Sequence, residues 1–226
     1  MESTFVRRPH NKNQSCNRAF ASVVLFKLSP EESHPMKATK SSVTLLPERS
    51  TSRLHRNRSK ALALFASRGF AQVSVRELAH HLDLTAGSYY HHYESKEDLL
   101  LEFICEHYAA LLSLFDELPR RASREAVLGK LTQRLISLHE SSPFHFQLAA
   151  RDLDCLKPSQ RLQVEMLRDQ LREQIDSVIH AFSPPGSRPI ATPALELFEH
   201  LPIWMKQYAA SEKIRCETLS RLLSVA

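Results

Sequence analysis

Apolar residues recur every three or four positions along most of the chain from Thr51 onward, which is the spacing of amphipathic helices. The first such run ends at Gly69, a residue that favours the left-handed conformation of a helix C-terminal stop. Helices are predicted over residues 51–68, 75–82, 86–92, 96–104 and beyond, 123–140, 143–153, 158–182, 193–209 and 212–224, with a Pro-rich loop over 183–189. The apolar stripe of the longest helix is predicted to begin at Leu162 and Met166. The pattern therefore predicts an all-α protein.

Two short helices within this order carry the clearest signal. Ser74 precedes the first, and Glu77 follows three residues later, which is the spacing of a capping box. Residues 83–85 form a tight link to the second helix, and the small Ala79 lets the two helices approach each other. This arrangement predicts a helix-turn-helix, in which the second helix enters the major groove of DNA.

Charge is distributed unevenly along the chain. Residues 1–60 hold 12 Lys or Arg and 4 Asp or Glu, a net +8, whereas residues 61–226 hold 18 and 21, a net −3. A basic part on a mildly acidic body suits a polyanionic partner, and nucleic acid fits better than a membrane surface. A solvated basic tail is the alternative that charge alone leaves open.

The first 50 residues form an N-terminal extension with four prolines and no helical periodicity, and they are predicted to be disordered. The apolar stretch Ala19–Leu28 follows basic residues as a signal peptide would, but Lys27 interrupts it and no small-x-small cleavage site follows closely. The protein is therefore predicted to be cytoplasmic. Met36 is an alternative start, so residues 1–35 are either a dispensable tail or an upstream mis-assignment.

Composition excludes several classes of protein. With 4 Gly in 226 residues, a Gly-rich phosphate loop or a dinucleotide fold is not expected, and no Ser-His-Asp arrangement is visible. The chain is therefore predicted not to be an enzyme and to need no cofactor. The four cysteines lie 89, 50 and 61 residues apart, which argues against a disulfide framework or a zinc module. The adjacent histidines at 80–81 and 91–92 point about 100° apart on a helix, so no metal site is predicted there.

Three runs of sequence together resemble the DNA-binding domain of TetR/AcrR-type bacterial repressors. They are A-L-x-L-F-A-x-x-G-F (Ala61–Phe70), V-S-V-R-E-L-A (Val73–Ala79) and L-T-A-G-S-Y-Y-H-H-Y-x-S-K-E-D-L-L (Leu84–Leu100). The resemblance implies a three-helix helix-turn-helix DNA-binding domain over residues 51–100, followed by an α-helical ligand-binding and dimerisation domain over 101–226. The family usually has Leu where this chain has Tyr89, so the Tyr89 hydroxyl is either buried with a partner or directed at DNA.

The resemblance also implies a set of contacts to double-stranded DNA. Phosphate contacts are implied for Ser74, Tyr90 and Lys96, and base-edge contacts for Thr85, Ala86, Gly87, Ser88 and His91. Arg76 adds phosphate-seeking charge, and Tyr89 belongs to the set if its hydroxyl faces DNA. Four further basic residues either touch phosphate or are solvated: Arg53, Arg56, Arg58 and Lys60.

The second domain is implied to bind a small-molecule effector. Residues 148–169 resemble regulators of the fatty-acyl or sterol-degradation group, which makes an acyl-CoA-like or other apolar effector one expectation. Six aromatic residues would either line an apolar pocket or form plain core: Phe144, Phe146, Phe182, Phe198, Trp204 and Tyr208.

A homodimer is predicted because a single helix-turn-helix makes few contacts and twofold symmetry matches an inverted-repeat operator. The apolar residues of the last two helices would form the interface: Leu195, Phe198, Leu201, Ile203, Trp204, Leu219, Leu222 and Leu223. The predicted function is a ligand-responsive repressor that its effector releases from the operator, with activation and corepression left open. The alternative is a helical interaction protein that keeps the helix-turn-helix without binding DNA.

Overall fold

The computed structural model describes residues 48–116, 118–119, 122–181, 191–207, 211, 213–214, 217–218 and 221. These residues all belong to one compact unit, Ser42–Ala226. The helices are α1 (Glu48–Arg68), α2 (Val75–His81), α3 (Ala86–His92), α4 (Lys96–Ser113), α5 (Arg124–Ser141), α6 (Pro143–Asp152), α7 (Pro158–His180) and α8 (Ala191–Gln207). Two short 3-10 turns lie at Phe70–Gln72 and Leu153–Cys155. The described residues contain no strand, and the prediction of an all-α fold is confirmed.

The helix boundaries agree with the predicted ones to within a few residues. α1 begins at Glu48, three residues before the predicted start at Thr51. It stops at Gly69, which has a φ of 90° and whose amide donates to the Phe65 carbonyl at 2.9 Å. The predicted extension up to residue 47 and the predicted loop over 183–189 lie outside the described residues. Of the predicted last helix, the described residues between 213 and 221 are helical.

Four helices begin at a hydroxyl that caps them. The side chains of Ser74, Thr85, Ser95 and Ser123 each accept a hydrogen bond from the amide three residues later, at 3.1–3.3 Å. Such a cap satisfies one of the amides that a helix start leaves without a partner. The predicted capping box at Ser74 is only half formed, because the Glu77 carboxylate pairs with Arg68 at the end of α1.

The centre of the molecule is α4, which packs against α6 and α7, while α8 covers α6 and α7 and α1 packs on α6. The buried apolar stripe of α7 consists of Val164, Leu167, Leu171, Ile175 and Ile179. The prediction that Leu162 and Met166 belong to this stripe is wrong, since they are 68% and 51% exposed on another side of the helix. No helix among the described residues has the length and hydropathy needed to cross a membrane.

The structure bears on two further predictions, the dimer interface and the domain boundary. Leu195 and Phe198 are fully buried within their own chain, and the Phe198 ring stacks on Phe115 at 6.0 Å, so they are not available to a partner subunit. The other predicted interface side chains lie outside the described ones, except for the half-buried Ile203. The predicted domain boundary between residues 100 and 101 falls inside α4.

Candidate nucleic-acid interface

The turn between α2 and α3 is set by a left-handed residue. Asp83 has a φ of 57°, and the Leu84 amide bonds back to the Ala79 carbonyl at 2.9 Å. A non-glycine residue is unfavourable in this conformation, but Asp is among the residues that tolerate it. Lys60 of α1 donates to the Asp83 carboxylate at 2.8 Å, and this hydrogen bond lowers the pKa of Asp83. The predicted tight link is therefore present and is tied to α1.

Tyr89 anchors α3 from the inside. Its ring is fully buried next to Tyr93, and its hydroxyl donates to the Ser95 carbonyl at 3.2 Å. Burial raises the pKa of this hydroxyl far above its ordinary value. The inclusion of Tyr89 among the DNA contacts is therefore wrong: the larger side chain reaches through the core to the start of α4, and its hydroxyl is used there.

Lys96 also has an internal role that the sequence did not reveal. Its ammonium donates to the carbonyls of Phe70 and Val73 at 2.8 and 2.7 Å and lies 4.0 Å from the centre of the Phe70 ring. Two of its three N–H donors are thus used to tie the connector after α1 to α4. At most one donor remains for the phosphate contact that was predicted for Lys96.

Other basic residues near the helix-turn-helix form ion pairs within the chain. Arg58 pairs with Glu102 and, at 2.6 Å, with Glu106 of α4, and it covers the ring of Phe103. The half-buried Arg58 therefore serves an internal role that neither of its two predicted alternatives describes. Lys60 pairs with Asp83, but its side chain is 39% exposed, and its predicted phosphate contact stays a prediction. The side chains of Arg53 and Arg56 lie outside the described ones.

The remaining predicted residues lie on the surface of α2 and α3. We call this set the outer face: Ser74, Arg76, Thr85, Ala86, Gly87, Ser88, Tyr90 and His91, all exposed or half-buried. Tyr90 is 53% exposed although its neighbour Tyr89 is fully buried. Thr85 Oγ1 accepts from the Ser88 amide at 3.1 Å and lies 2.9 Å from Ser88 Oγ, which holds both hydroxyls at the start of α3. His80 and His81, which were not predicted as contacts, and His92, which offers a further donor at the end of α3, are also exposed on these helices.

Gly87 is the residue of the outer face that the fold itself does not explain. A Cβ at this position would meet only Thr85 Oγ1, at the ordinary contact distance of 3.9 Å, and its backbone is not left-handed. Glycine within a helix costs about 0.5–1 kcal/mol relative to alanine. The chain therefore carries a local cost at the start of α3 without an internal packing reason for it.

A second candidate site lies in the helical body. A cavity of about 130 Å³ is lined by Tyr108, Ala149, Ala150, Arg151, Leu153, Asp154, Arg168, Glu199 and His200. At its floor the guanidinium of Arg168 holds both oxygens of the buried Glu199 at 2.8 Å, and the Tyr108 hydroxyl donates to the same carboxylate at 2.7 Å. Burial, reinforced by the charge of Glu199, raises the pKa of Tyr108. The cavity wall is thus charged and already hydrogen-bonded.

The predicted aromatic lining does not surround this cavity. Phe146 and Phe198 are buried in the core, and Phe144 is 42% exposed. The side chains of Phe182, Trp204 and Tyr208 lie outside the described ones. The alternative that these aromatic residues form plain core therefore holds for Phe146 and Phe198.

One cluster among the described residues has the spacing of a metal site. Glu196, Glu199 and His200 offer ligand atoms within 4.8 Å of one another. However, the Arg168 guanidinium bonds both oxygens of Glu199 and contacts Glu196 at 3.3 Å. The cation that balances this cluster is therefore an arginine of the same chain.

Comparison with known proteins finds relatives of the helix-turn-helix segment. Residues 58–103 match the family model described as bacterial regulatory proteins of the tetR family. A 51-residue segment is 39% identical to the uncharacterized HTH-type transcriptional regulator YerO of Bacillus subtilis (strain 168), and it covers 23% of this chain and 17% of YerO. The sequence match is therefore confined to a small part of either protein.

Solved structures extend the likeness to the fold of about three quarters of the chain. A TetR-family transcriptional regulator from Bordetella parapertussis 12822 superposes with a TM-score of 0.65 at 18% identity, over 76% of this chain and 93% of that one. AibR, solved in complex with isovaleryl coenzyme A and operator DNA, superposes with a TM-score of 0.60 at 17% identity, over 75% of this chain and 97% of AibR. These identities are low, so the structures show a shared fold.

Proposed function

We propose that this chain is a TetR-type regulator that binds an inverted-repeat operator in double-stranded DNA as a cytoplasmic homodimer. The match of residues 58–103 to the tetR family model and the fold shared with TetR-family structures support this proposal. In this proposal α3 enters the major groove, α2 crosses the backbone, and the two copies of α3 lie about 34–36 Å apart. A regulator of this type is not an enzyme, in agreement with the prediction from the sequence.

The observation that carries the proposal is Gly87. This glycine is exposed at the start of α3, has room for a Cβ inside the chain, and is flanked by hydroxyls that are held in place by the helix cap. A partner whose surface must come close to the α3 backbone explains the missing side chain. The edges of base pairs and the adjacent phosphates are such a surface.

The outer face supplies groups for both kinds of DNA contact. Thr85 and Ser88 present hydroxyls at the entry of α3, where base edges are read. Tyr90 and Arg76 are exposed and suit phosphate contacts, which set the register of the protein on the duplex. Tyr89, buried beneath them, holds α3 at the required angle.

We propose in addition that a small polar effector controls DNA binding from the cavity in the helical body. AibR, which shares the fold, was solved with isovaleryl coenzyme A, and this supports the binding of a small molecule by a chain of this fold. The cavity of about 130 Å³ lies below the roughly 300 Å³ at which pockets for drug-sized ligands begin. Its charged lining and small size favour a small polar effector over an acyl-CoA-like one.

Thermal unfolding with and without isovaleryl coenzyme A tests the class of effector. The expected result is an unchanged Tm at millimolar ligand, because binding to the folded state alone would raise it. A saturable rise in Tm would favour the acyl-CoA class instead.

Selection of bound duplexes from random DNA by the purified chain tests the proposed function. The expected result is enrichment of an inverted repeat. Gly87→Ala is then expected to weaken binding to the enriched site by about tenfold or more, through a steric clash worth over 1 kcal/mol, while it stabilises the free protein by about 0.5–1 kcal/mol.

Gly129→Ala is the matched control for this experiment. Gly129 lies in α5, a Cβ there would meet nothing within 4 Å, and the residue is remote in sequence from the helix-turn-helix. It is expected to stabilise the protein to a similar degree and to leave DNA binding unchanged. Absence of any enriched sequence at low salt, with the chain folded, would favour the alternative of a helical interaction protein.

A further inference from the structure

Most of the permanent positive charge near the helix-turn-helix is used inside the chain. Residues 58–96 contain five Lys or Arg side chains, and four of them bond to groups of the same chain. Arg58, Lys60 and Arg68 pair with carboxylates, and Lys96 donates to two backbone carbonyls. The fifth, Arg76, is exposed on α2.

The two helices of the outer face are slightly acidic while their histidines are neutral. Residues 74–93 hold one basic residue, Arg76, against two acidic ones, Glu77 and Asp83, which gives a net charge of −1. The two carboxylates pair with Arg68 and Lys60 of α1, so these cations leave little surplus charge. Binding of duplex DNA draws much of its strength from cations that displace counterions from phosphates. The outer face therefore needs a further source of positive charge.

Histidines supply such charge in a form that depends on pH. A third of the 12 histidines of the chain lie in this stretch, which is less than a tenth of its length. We call them the histidine set: His80, His81, His91 and His92. All four are exposed, two in the last turn of α2 and two in the last turn of α3. When the whole set is protonated, the net charge of residues 74–93 changes from −1 to +3.

The first pair lies beside the turn that leads into α3. The pKa of Asp83 in that turn is lowered by the hydrogen bond from Lys60 and further by the charges of His80 and His81. The Asp83 carboxylate is 76% exposed and lies two residues before Thr85, the cap of α3. Protonation of His80 and His81 therefore offsets a negative charge close to the end of α3 that enters the groove.

The second pair lies at the other end of α3. His91 and His92 follow Tyr90, which is 53% exposed and suits a phosphate contact. Of the nearby carboxylates, Glu77 of α2 is paired with α1, and Glu94 is exposed just after α3. A phosphate at this end of α3 would meet a hydroxyl and two imidazoles.

We propose that the histidine set makes operator binding dependent on pH, so that the chain binds DNA more tightly as these histidines take up protons. The inference rests on the proposed function, because it concerns affinity for the operator. Histidine ordinarily titrates near pH 6.5, and a phosphate in contact with an imidazole favours its protonated form. DNA binding and proton binding therefore strengthen each other, as two linked ligands must.

Affinity at two pH values tests the proposal on the full-length wild-type chain. Duplexes are selected from random DNA at pH 6.0 and at pH 7.5 in parallel, and affinity for the enriched duplex is then measured at both. We expect binding about tenfold tighter or more at pH 6.0, as for two histidines that bind protons more readily beside phosphate. Circular dichroism at pH 6.0 checks that the chain is folded. Equal affinity at the two pH values would overturn the proposal.

Variants of the histidine set separate its charge from its shape. Replacement of all four histidines by glutamine should remove the pH dependence and leave binding at pH 6.0 about tenfold weaker or more. The double change His91→Lys and His92→Lys should instead tighten binding at pH 7.5 and reduce the pH dependence. Arg76→Gln is the matched control, because it removes a charge that does not titrate: it should weaken binding equally at both pH values. A pH dependence that survives in the glutamine variant would overturn the proposal.

Proton uptake can be counted on the wild-type chain alone, which keeps the proposal testable if a variant does not fold. Calorimetric titration with the selected duplex at pH 6.8, in two buffers of different ionisation enthalpy, measures the protons bound along with the DNA. We expect uptake of about one proton or more per subunit. Absence of uptake would overturn the proposal.

The failures of the two proposals can be told apart. If neither pH yields an enriched sequence, the proposed function falls and the present inference falls with it. If a sequence is enriched but its binding is independent of pH and takes up no protons, the role of the histidine set falls and DNA binding stands.

Discussion

The helix-turn-helix unit, residues 58–95, and the helical body differ in what they bury. Among the described residues, the buried polar or charged ones are His107, Thr132, His139, Asp152, Gln160 and Glu199, and all six lie in the body. The helix-turn-helix unit buries apolar and aromatic side chains, and its polar side chains cap helices, lie on the surface or, as with the half-buried Arg58, pair with α4. The body thus owes more of its structure to specific polar pairs.

This difference predicts how strongly a substitution in each region affects stability and DNA binding. Local caps and turns contribute about 1 kcal/mol each, and their neighbours need not move when one is lost. A buried charge left without its partner costs several times more, because it cannot regain water. The largest effects on stability are therefore expected in the body, and the largest effects on DNA binding in the outer face.

Removal of the guanidinium from the buried cluster of the body is expected to have the largest effect. Arg168→Met leaves the Glu199 carboxylate, which is 5% exposed, without its bidentate partner. We expect a loss of about 3–5 kcal/mol in the free energy of unfolding, measured by urea denaturation. Arg172→Met, which removes a partly exposed pair of the same helix, should cost no more than about 0.5 kcal/mol. Equal losses in both variants would contradict the comparison.

Acid should destabilise the body next most strongly through His107. Its full burial lowers the pKa of His107 from 6.5 to about 3, with the nearby His145 and His139 adding to the effect. The unfolded chain then binds a proton that the folded chain does not, so this stability is complete above pH 6.5 and falls as the pH drops toward 3. At pH 5 the loss relative to pH 7 is about 2 kcal/mol from this group.

His107→Phe isolates that contribution from the titration of carboxylates such as Glu106. The difference in unfolding free energy between pH 7 and pH 5 should be about 2 kcal/mol smaller in this variant than in the wild-type chain. The same pH dependence in both proteins would show that His107 is protonated in the folded state.

Substitutions in the turn of the helix-turn-helix should change the free energy of unfolding less. Asp83 lies in the left-handed region, so Asp83→Ala is expected to be less stable than Asp83→Gly by about 1 kcal/mol, because only glycine adopts this φ without steric cost. Both variants lose the pair with Lys60, which removes that contribution from the comparison. Thermal denaturation of the two variants measures the difference in stability. An alanine variant more stable than the glycine variant would contradict the left-handed conformation of residue 83.

The outer face should show the smallest effect on stability. Arg76 is exposed, so Arg76→Gln is expected to change the free energy of unfolding by no more than about 0.5 kcal/mol. For the selected DNA, the same change should reduce the slope of log affinity against log salt by about 1, as expected for one lost phosphate contact. An unchanged slope would remove Arg76 from the DNA contacts.

Much of the helix-turn-helix could be predicted from the sequence because its determinants are local. The caps at Ser74, Thr85 and Ser95 lie three residues from the amides they satisfy, and Gly69 ends α1 by its own backbone preference. The exposure of Tyr90 follows from its place on α3. The internal use of Lys96 was missed because its acceptor carbonyls lie 23 and 26 residues away.

The helical body shows the opposite case. Its helices were predicted from periodicity, and most of the buried stripe of α7 was predicted too, but Leu162 and Met166 were wrongly included, because amphipathic spacing does not say how far α4 and α8 will cover the helix. The effector pocket was predicted among aromatic residues, three of whose side chains lie outside the described ones, whereas the cavity among the described residues has several charged side chains in its lining. Residues 148–169, which resembled acyl-type regulators, hold in Arg151 and Gln160 the contacts that join the body to the helix-turn-helix.

The sequence by itself determined the order of helices, their caps, the helix-turn-helix and its family resemblance, because each of these depends on residues a few positions apart. Only the tertiary structure decided which polar side chains are consumed inside the chain. Tyr89, Lys96 and Arg58 were all predicted as candidates for external contact or as solvated charge, and each is bound to a group that the fold brings from 6 to 48 residues away. Hydrogen bonds and ion pairs form wherever the packing of helices brings donor and acceptor together, and that packing is a property of the whole chain.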